Sequence, residues 1–303
     1  MFSSDILLQL GWTGLATSSF YMLFATAFAL VLKVNQVWNF GQAGLMVIGY
    51  FSCYIFLQIL DFFPLWAIIF SILMTVFAGC CLEKYGFGVL RERKSPPLTF
   101  FIFSIVIAQF FVFLAELIFG TTPKTLYPSL NSKINLFYGI VITNWDLFAL
   151  ISSIIIMSVL YFIMKKTKLG YSMTAVSDNP ELAEMYGIKK EYIYLYSISI
   201  SSFLLFWGMY LFGTKAAIFP STPLLQLLVF AVIATIIAGI GNVFGAALAA
   251  VFLSLLQAFS ILLIPSKWQI LIAYGLIFFI ILFFPKGFVI NLEVFKLKKN
   301  KGS

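Results

Sequence analysis

Apolar runs long enough to cross a bilayer follow one another from end to end of this chain, separated by short polar intervals. A bilayer core asks for roughly 20 mainly apolar residues per helix. On that measure, spans fall near 6–32, 37–60, 64–82, 98–119, 147–164, 192–213, 224–240, 243–264 and 268–284. Lipid offers the backbone no hydrogen-bond partners, so such runs must satisfy their own amides as helices. The expected fold is an all-α polytopic membrane protein of about eight or nine transmembrane helices, forming a single transmembrane domain over 1–303. Only 10% of the residues are charged and 62% are hydrophobic, which excludes a water-soluble globule. The first run has no basic residue ahead of it and carries Asp5, so it reads as a retained helix and not as a secretory signal.

The 303 residues carry a net charge of +8. Lys33, the segment 83–97, the segment 165–191 and the tail 285–303 hold 15 of the 19 basic residues, and Lys124, Lys133, Lys215 and Lys267 are the rest. Basic loops stay on the cytoplasmic side, so this bias predicts the N-terminus outside and the C-terminus in the cytoplasm. The charge is then explained by the lipid bilayer, with no nucleic acid. Histidine is absent, and Cys53, Cys80 and Cys81 all lie in apolar runs, so no metal site or disulfide framework is expected.

Two regions interrupt the apolar pattern. At 35–44, Asn35, Gln36, Asn39, Gln42, Gly41 and Gly44 gather at the entrance of a span. Non-helical backbone at membrane depth is tolerated where it is buried in protein or lines a watery cavity. Asn39, Phe40, Gly41, Gln42 and Gly44 are therefore candidates for a translocation path, and a tight helix crossing through the small residues is the alternative. In the stretch 224–264, Gly239, Gly241 and Gly245 read as helix-packing glycines. The segments 39–51 and 242–253 share a faint Asn–aromatic–Gly opening, which permits one or two broken helices in related positions. In the outer loop 120–146, Pro123 and Pro128 keep the first half extended, and the alternating pattern around Gly139 predicts a short hairpin. Gln109 and Glu116 share a helical face, and either a pathway role or solvation near the surface accounts for them.

The polar interval 165–191 contains a capped helix of about two turns. Asp178 or Asn179 is the N-cap, Pro180 lies in the first turn, Glu181 follows, and Gly187 terminates it. Leu182, Met185 and Tyr186 share one face. A helix so short needs support, and Glu181 and Glu184 disfavour an anionic lipid surface. A protein partner is the better occupant. No catalytic constellation is present, and no phosphate-binding loop of the G-x-x-x-x-G-K-[ST] type occurs, so any ATP hydrolysis belongs to another polypeptide.

LGYSMTAVSDNPELAEMYGIKKEY, with Gly170, Ala175, Ala183, Gly187 and Ile188 at the pattern positions, resembles the cytoplasmic signature of branched-chain amino acid ABC transporter permeases. Four further stretches are similar to that family in the same order: the first helix with its entrance turn, EKYGFGVLRERKSPPLTFFIFSIVIAQFF, GIGNVFGAALAAVFLSLLQ and FFPKGF. Where one subunit type of the family commonly has Gly and an acidic residue, this chain has Ala43 and Gly44, which bears on substrate. Relatives that carry urea or short amides give the alternative.

The resemblance implies a permease in a bacterial inner membrane that binds no cofactor itself. ATP and Mg would sit on two cytoplasmic ABC ATPase subunits. A second homologous permease and an extracytoplasmic substrate-binding protein would complete the importer. Asp178, Asn179, Pro180, Glu181, Leu182, Ala183, Met185, Tyr186 and Gly187 would form the ATPase-coupling helix, and the hairpin at 133–143 would meet the binding protein.

Overall fold

The computed structural model describes residues 4–127, 133–136, 140–220, 224–262 and Gly275. The long helices are α1 (Ser4–Asn35), α2 (Gln42–Tyr54), α3 (Pro64–Cys81), α5 (Pro97–Phe119), α6 (Asn144–Lys166), α9 (Lys190–Lys215), α10 (Leu224–Ala238) and α11 (Val243–Ser260). Between them lie the short helices α4 (Gly88–Glu92), α7 (Lys168–Asp178) and α8 (Pro180–Met185). Seven of the helical segments are long and apolar enough to cross a membrane, and α10 is a shorter apolar helix of 15 residues. The expected span at 268–284 and the tail 285–303 lie outside the described residues.

α1 is the axis of the bundle. From Leu23 to Val34 nearly every side chain is buried, and α6, α9, α10 and α11 pack around it. Lipid is as apolar as leucine, so helices associate through close packing of small residues and not through hydrophobic exclusion. α3 shows this directly: its buried positions are Ala67, Ser71, Thr75 and Gly79, each four residues apart, while Leu73, Met74 and Phe77 point outward. That one-sided burial, shared by α5 and α6, places these three helices at the periphery of the chain.

Contacts sort the loops onto two ends. At one end, Gln36 Nε2 donates to the Ser177 carbonyl at 2.9 Å and Asn35 Nδ2 donates to Glu83 Oε2 at 3.0 Å. This basic end carries Lys33, the 84–94 cluster and the lysines of 165–190. At the far end, Lys124 and Ile218 pair through their backbones, Lys215 meets Asp146, and Gln58 Nε2 donates to the Leu126 carbonyl at 2.8 Å. The expected hairpin is present there: β1 (Lys133–Leu136) pairs antiparallel with β2 (Ile140–Thr143), with Lys133 opposite Thr143. Gln9 of α1 completes the β2 edge, its amide nitrogen donating to the Val141 carbonyl and its amide oxygen accepting from the Val141 N–H.

Three expectations need correction. The segment 83–92, read as an inner loop, continues α3 as helix through a π turn (Leu82–Phe87) into α4. A second π turn (Ile55–Ile59) extends α2, so among the described residues the irregular helices are these two, and the polar stretch 36–41 separates α1 from α2. Such turns recur at functional sites. In 165–191, α7 forms in addition to the short helix, because Thr167 caps it through Gly170 and buries Gly170, Met173 and Val176 against the bundle.

Candidate functional site

The expected coupling helix is α8, and local chemistry fixes both of its ends. Asn179 is its N-cap: Oδ1 accepts from the Glu181 and Leu182 N–H groups at 3.1 and 2.9 Å. Asp178 is instead the last residue of α7. Pro180 occupies the first turn, where its missing N–H costs nothing. At the other end, the Gly187 N–H donates to the Glu184 carbonyl and the Ile188 N–H to the Ala183 carbonyl, at 2.9 and 3.0 Å. These two bonds are a Schellman motif, and they require the left-handed backbone that Gly187 adopts at φ +83°. Lys190 pairs with Glu184 at 2.8 Å across this turn.

α8 is attached to the bundle through one face only. Ala183 is buried, whereas Leu182, Met185 and Tyr186 are 49%, 84% and 80% exposed. The three large apolar side chains therefore stand clear of the chain that carries them.

Behind α8 lies the turn at 35–44. Gln36 takes a left-handed φ of +55°, which is uncommon for a residue with a side chain and turns the backbone between α1 and α2. Ser104 of α5 secures the turn by accepting the Phe40 N–H at 3.1 Å, and the Phe40 ring packs edge-on against Phe101. Gly41 and Gly44 are packing positions. A Cβ on Gly44 would stand 2.9 Å from the Phe111 ring, and one on Gly41 would stand 2.9 Å from Asn39 Oδ1. A larger residue at either position would force its neighbour to shift where α2 enters beside α5.

Asn39 and Gln42 are both fully buried but turn to different sides. Gln42 Nε2 donates to the Ala27 carbonyl of α1 and to Ser201 Oγ of α9, at 3.3 and 3.1 Å. Ala27 lies eight residues, or about 12 Å of helix, above the end of α1, so Gln42 reaches into the interior. Asn39 lies nearer Leu82 and Ser104. Among the described residues, both polar atoms of Asn39, Gln42 Oε1 and Ser197 Oγ lack a hydrogen-bond partner. A buried polar atom left unsatisfied costs about 1–3 kcal/mol, so each atom of this neutral group can take up a further hydrogen bond. Gln109 and Glu116 do not join it: Gln109 is exposed on α5, whose buried face is Ser104, Ala108 and Ala115.

The second glycine group serves differently from the packing role expected of it. Gly239 and Gly241 adopt φ of +91° and +98° in the turn between α10 and α11, and a Cβ on Gly241 would meet open space. These are turn glycines. Gly245 donates its N–H to Oδ1 of the N-cap Asn242 at 2.8 Å, and the cap side chain occupies the place of a Cβ. This turn and the one at 36 come together: Lys33, Gln36, Lys165, Asp178, Gly241 and Asn242 border one cavity of about 780 Å³ at the basic end.

One further group is not apparent from the sequence. Glu83, on the π turn, is buried, pairs with the Arg91 guanidinium, and accepts from Asn35. Its only signal is a lone carboxylate at the end of an apolar run, eight residues before an arginine.

Comparison with known proteins bears on this arrangement. Residues 12–282 match the family model described as the permease component of a branched-chain amino acid transport system. The chain is similar to the high-affinity branched-chain amino acid transport system permease protein BraD of Pseudomonas aeruginosa, 24% identical over 299 residues that cover 94% of this chain and 96% of the relative. No solved structure gives a significant match. With its membrane-spanning helices and a family match over most of its length, the chain is a multi-pass inner-membrane protein and belongs to the family of branched-chain amino acid transport system permease components.

Proposed function

We propose that this chain is the membrane-spanning permease subunit of an ATP-driven importer, forming the path for branched-chain amino acids together with a second, homologous permease. Two cytoplasmic ATPases, which bind ATP and Mg, dock on the basic end, and an extracytoplasmic binding protein delivers substrate to the far end near the hairpin β1–β2. The observation that carries this reading is α8: a six-residue helix, capped at both ends, held through Ala183, with Leu182, Met185 and Tyr186 exposed. Isolated helices of that length are unstable in water, and rigid capping of a helix with an unpartnered apolar face suits a knob that seats in another protein.

The path runs past Asn39 and Gln42. A neutral, polar lining suits a zwitterion, since no fixed charge there retains either end of it, and the buried hydroxyls of Ser197 and Ser201, one turn apart on α9, continue the lining. Ala43 and Gly44 stand where relatives commonly differ, so urea and short amides are the substrates to compare.

The test is purification of the complex from membranes and measurement of its ATP hydrolysis with the binding protein and leucine, isoleucine, valine, urea or acetamide. Stimulation by the amino acids is the expected result, and stimulation by amides alone would reassign the substrate. In Leu182→Asp/Met185→Asp, the ATPases are expected to fall away while the permease remains in the membrane. Their undiminished co-purification would remove α8 as the docking element.

A further inference from the structure

Glu83 is among the few buried charged side chains described, and every one of its polar atoms is engaged. Oε1 meets the Arg91 guanidinium, and Oε2 accepts from Asn35 Nδ2 at 3.0 Å. Asn35 ends α1, and its Nδ2 also lies 3.4 Å from the Tyr194 carbonyl. Tyr194 lies in the first turns of α9, the helix that the chain enters directly after α8, and the Arg91 guanidinium lies 4.2 Å from the centre of its ring. A closed circuit thus joins the end of α1, the π turn, α4 and the start of α9.

The circuit borders the polar entrance on one side and the α8 segment on the other. Asn35 is followed by the left-handed Gln36, whose side chain holds the Ser177 carbonyl at the end of α7. The entrance turn is therefore tied on both flanks of α8, to the end of α7 through Gln36 and to the start of α9 through Asn35, Glu83, Arg91 and Tyr194. Burying an ion pair is a poor way to gain stability, since a well-packed apolar pair does as well. What it supplies is a contact that is either made or broken, in one geometry.

We infer that the Glu83–Arg91 pair is a positioning element that transmits movement of the α8 segment to the entrance turn at 36–41. This rests on α8 being the ATPase contact. The two-state part is the π turn Leu82–Phe87, which places one extra residue in the helix between α3 and α4. Return of that turn to α-helical register rotates α4 by about 100° relative to α3 and takes Arg91 away from Glu83. Asn35 then loses its anchor, and the entrance turn is free to change. Coupling demands a discrete switchable element of this kind between two sites.

The experiment uses the whole complex, reconstituted in vesicles, with leucine as the probe and two readouts. Glu83→Gln leaves the half-buried Arg91 without its counter-charge and is expected to lower the melting temperature, while Glu83→Gln/Arg91→Gln removes both charges and is expected to restore it. The double variant should assemble and hydrolyse ATP at the basal rate, yet lose leucine stimulation and leucine uptake by about tenfold. A double variant with normal uptake would show the pair to be purely structural and overturn the inference. Hydrogen–deuterium exchange of the permease supplies the second readout and needs no substrate. In the double variant, exchange is expected to rise in 35–41 with no rise in the far-end segments 120–127 and 140–146, and unchanged exchange in 35–41 overturns the inference. If leucine fails to stimulate the unaltered complex, the substrate assignment fails, and the exchange result still decides the role of the pair.

Discussion

Gln42 makes the most informative contacts of any single side chain near the entrance. It is fully buried and spends its two N–H groups on α1 and α9, leaving its carbonyl oxygen unpartnered among the described residues. A residue that only glued helices together would be expected to use both ends. Gln42→Leu keeps the approximate volume and removes the amide, so transport is expected to fall by about tenfold, a loss of roughly 1–2 kcal/mol for one neutral hydrogen bond, while the ATPases still co-purify. Uptake kinetics equal to wild type would leave Gln42 as a packing residue. Gly44 is the contrasting case, because Phe111 fills the space a side chain would need. It packs directly against α5.

At the scale of elements, α7 and α8 form a helical hairpin hinged at Asn179, which is both the C-cap of α7 and the N-cap of α8. One side chain thus sets the angle at which the exposed face of α8 is presented. Asn179→Ala removes that cap at a cost of about 1 kcal/mol, which corresponds to about a fivefold weakening of ATPase binding in a titration against the permease. Asn179→Asp retains an accepting oxygen and is expected to bind as wild type does. Equal binding by the alanine variant would show that the cap contributes nothing to docking. The caps at both ends of α8 are readable in the residues themselves, because N-cap and Schellman chemistry acts within a few positions. The two π turns were not legible. A π turn differs from an α turn by one residue of register, and here that choice depends on where Glu83 finds Arg91 and Asn35 across the bundle.

On the scale of the whole molecule, loops of like character collect at opposite ends, with the described lysines and arginines other than Lys124, Lys133 and Lys215 at the basic end. The positive-inside rule predicts that this end faces the cytoplasm. In a background lacking Cys53, Cys80 and Cys81, a cysteine replacing Thr122 is expected to react with an impermeant thiol reagent added to intact cells, and one replacing Ser177 is expected to react only after lysis. The opposite pattern would invert the orientation.

The sequence by itself determined the membrane class, the approximate places of the seven described spans, the pairing of strands around 133–136 and 140–143 and the capped helix near 180–186. Each of these comes from local quantities: the length of an apolar run, alternation, and hydrogen bonds between neighbours in the chain. Only the tertiary structure decided that α1 is the buried axis, that Gly44 packs against α5 while Gly241 serves a turn, and that Asn39 and Gln42 face different sides. It alone brought Glu83, Arg91, Asn35 and Tyr194 together. The reason is physical. In a chain where almost every surface is apolar, hydropathy distinguishes neither the lipid side from the protein side nor one neighbour from another. Those choices fall to small-residue packing and to a few buried polar groups, whose partners lie 48 and 159 residues away in the chain.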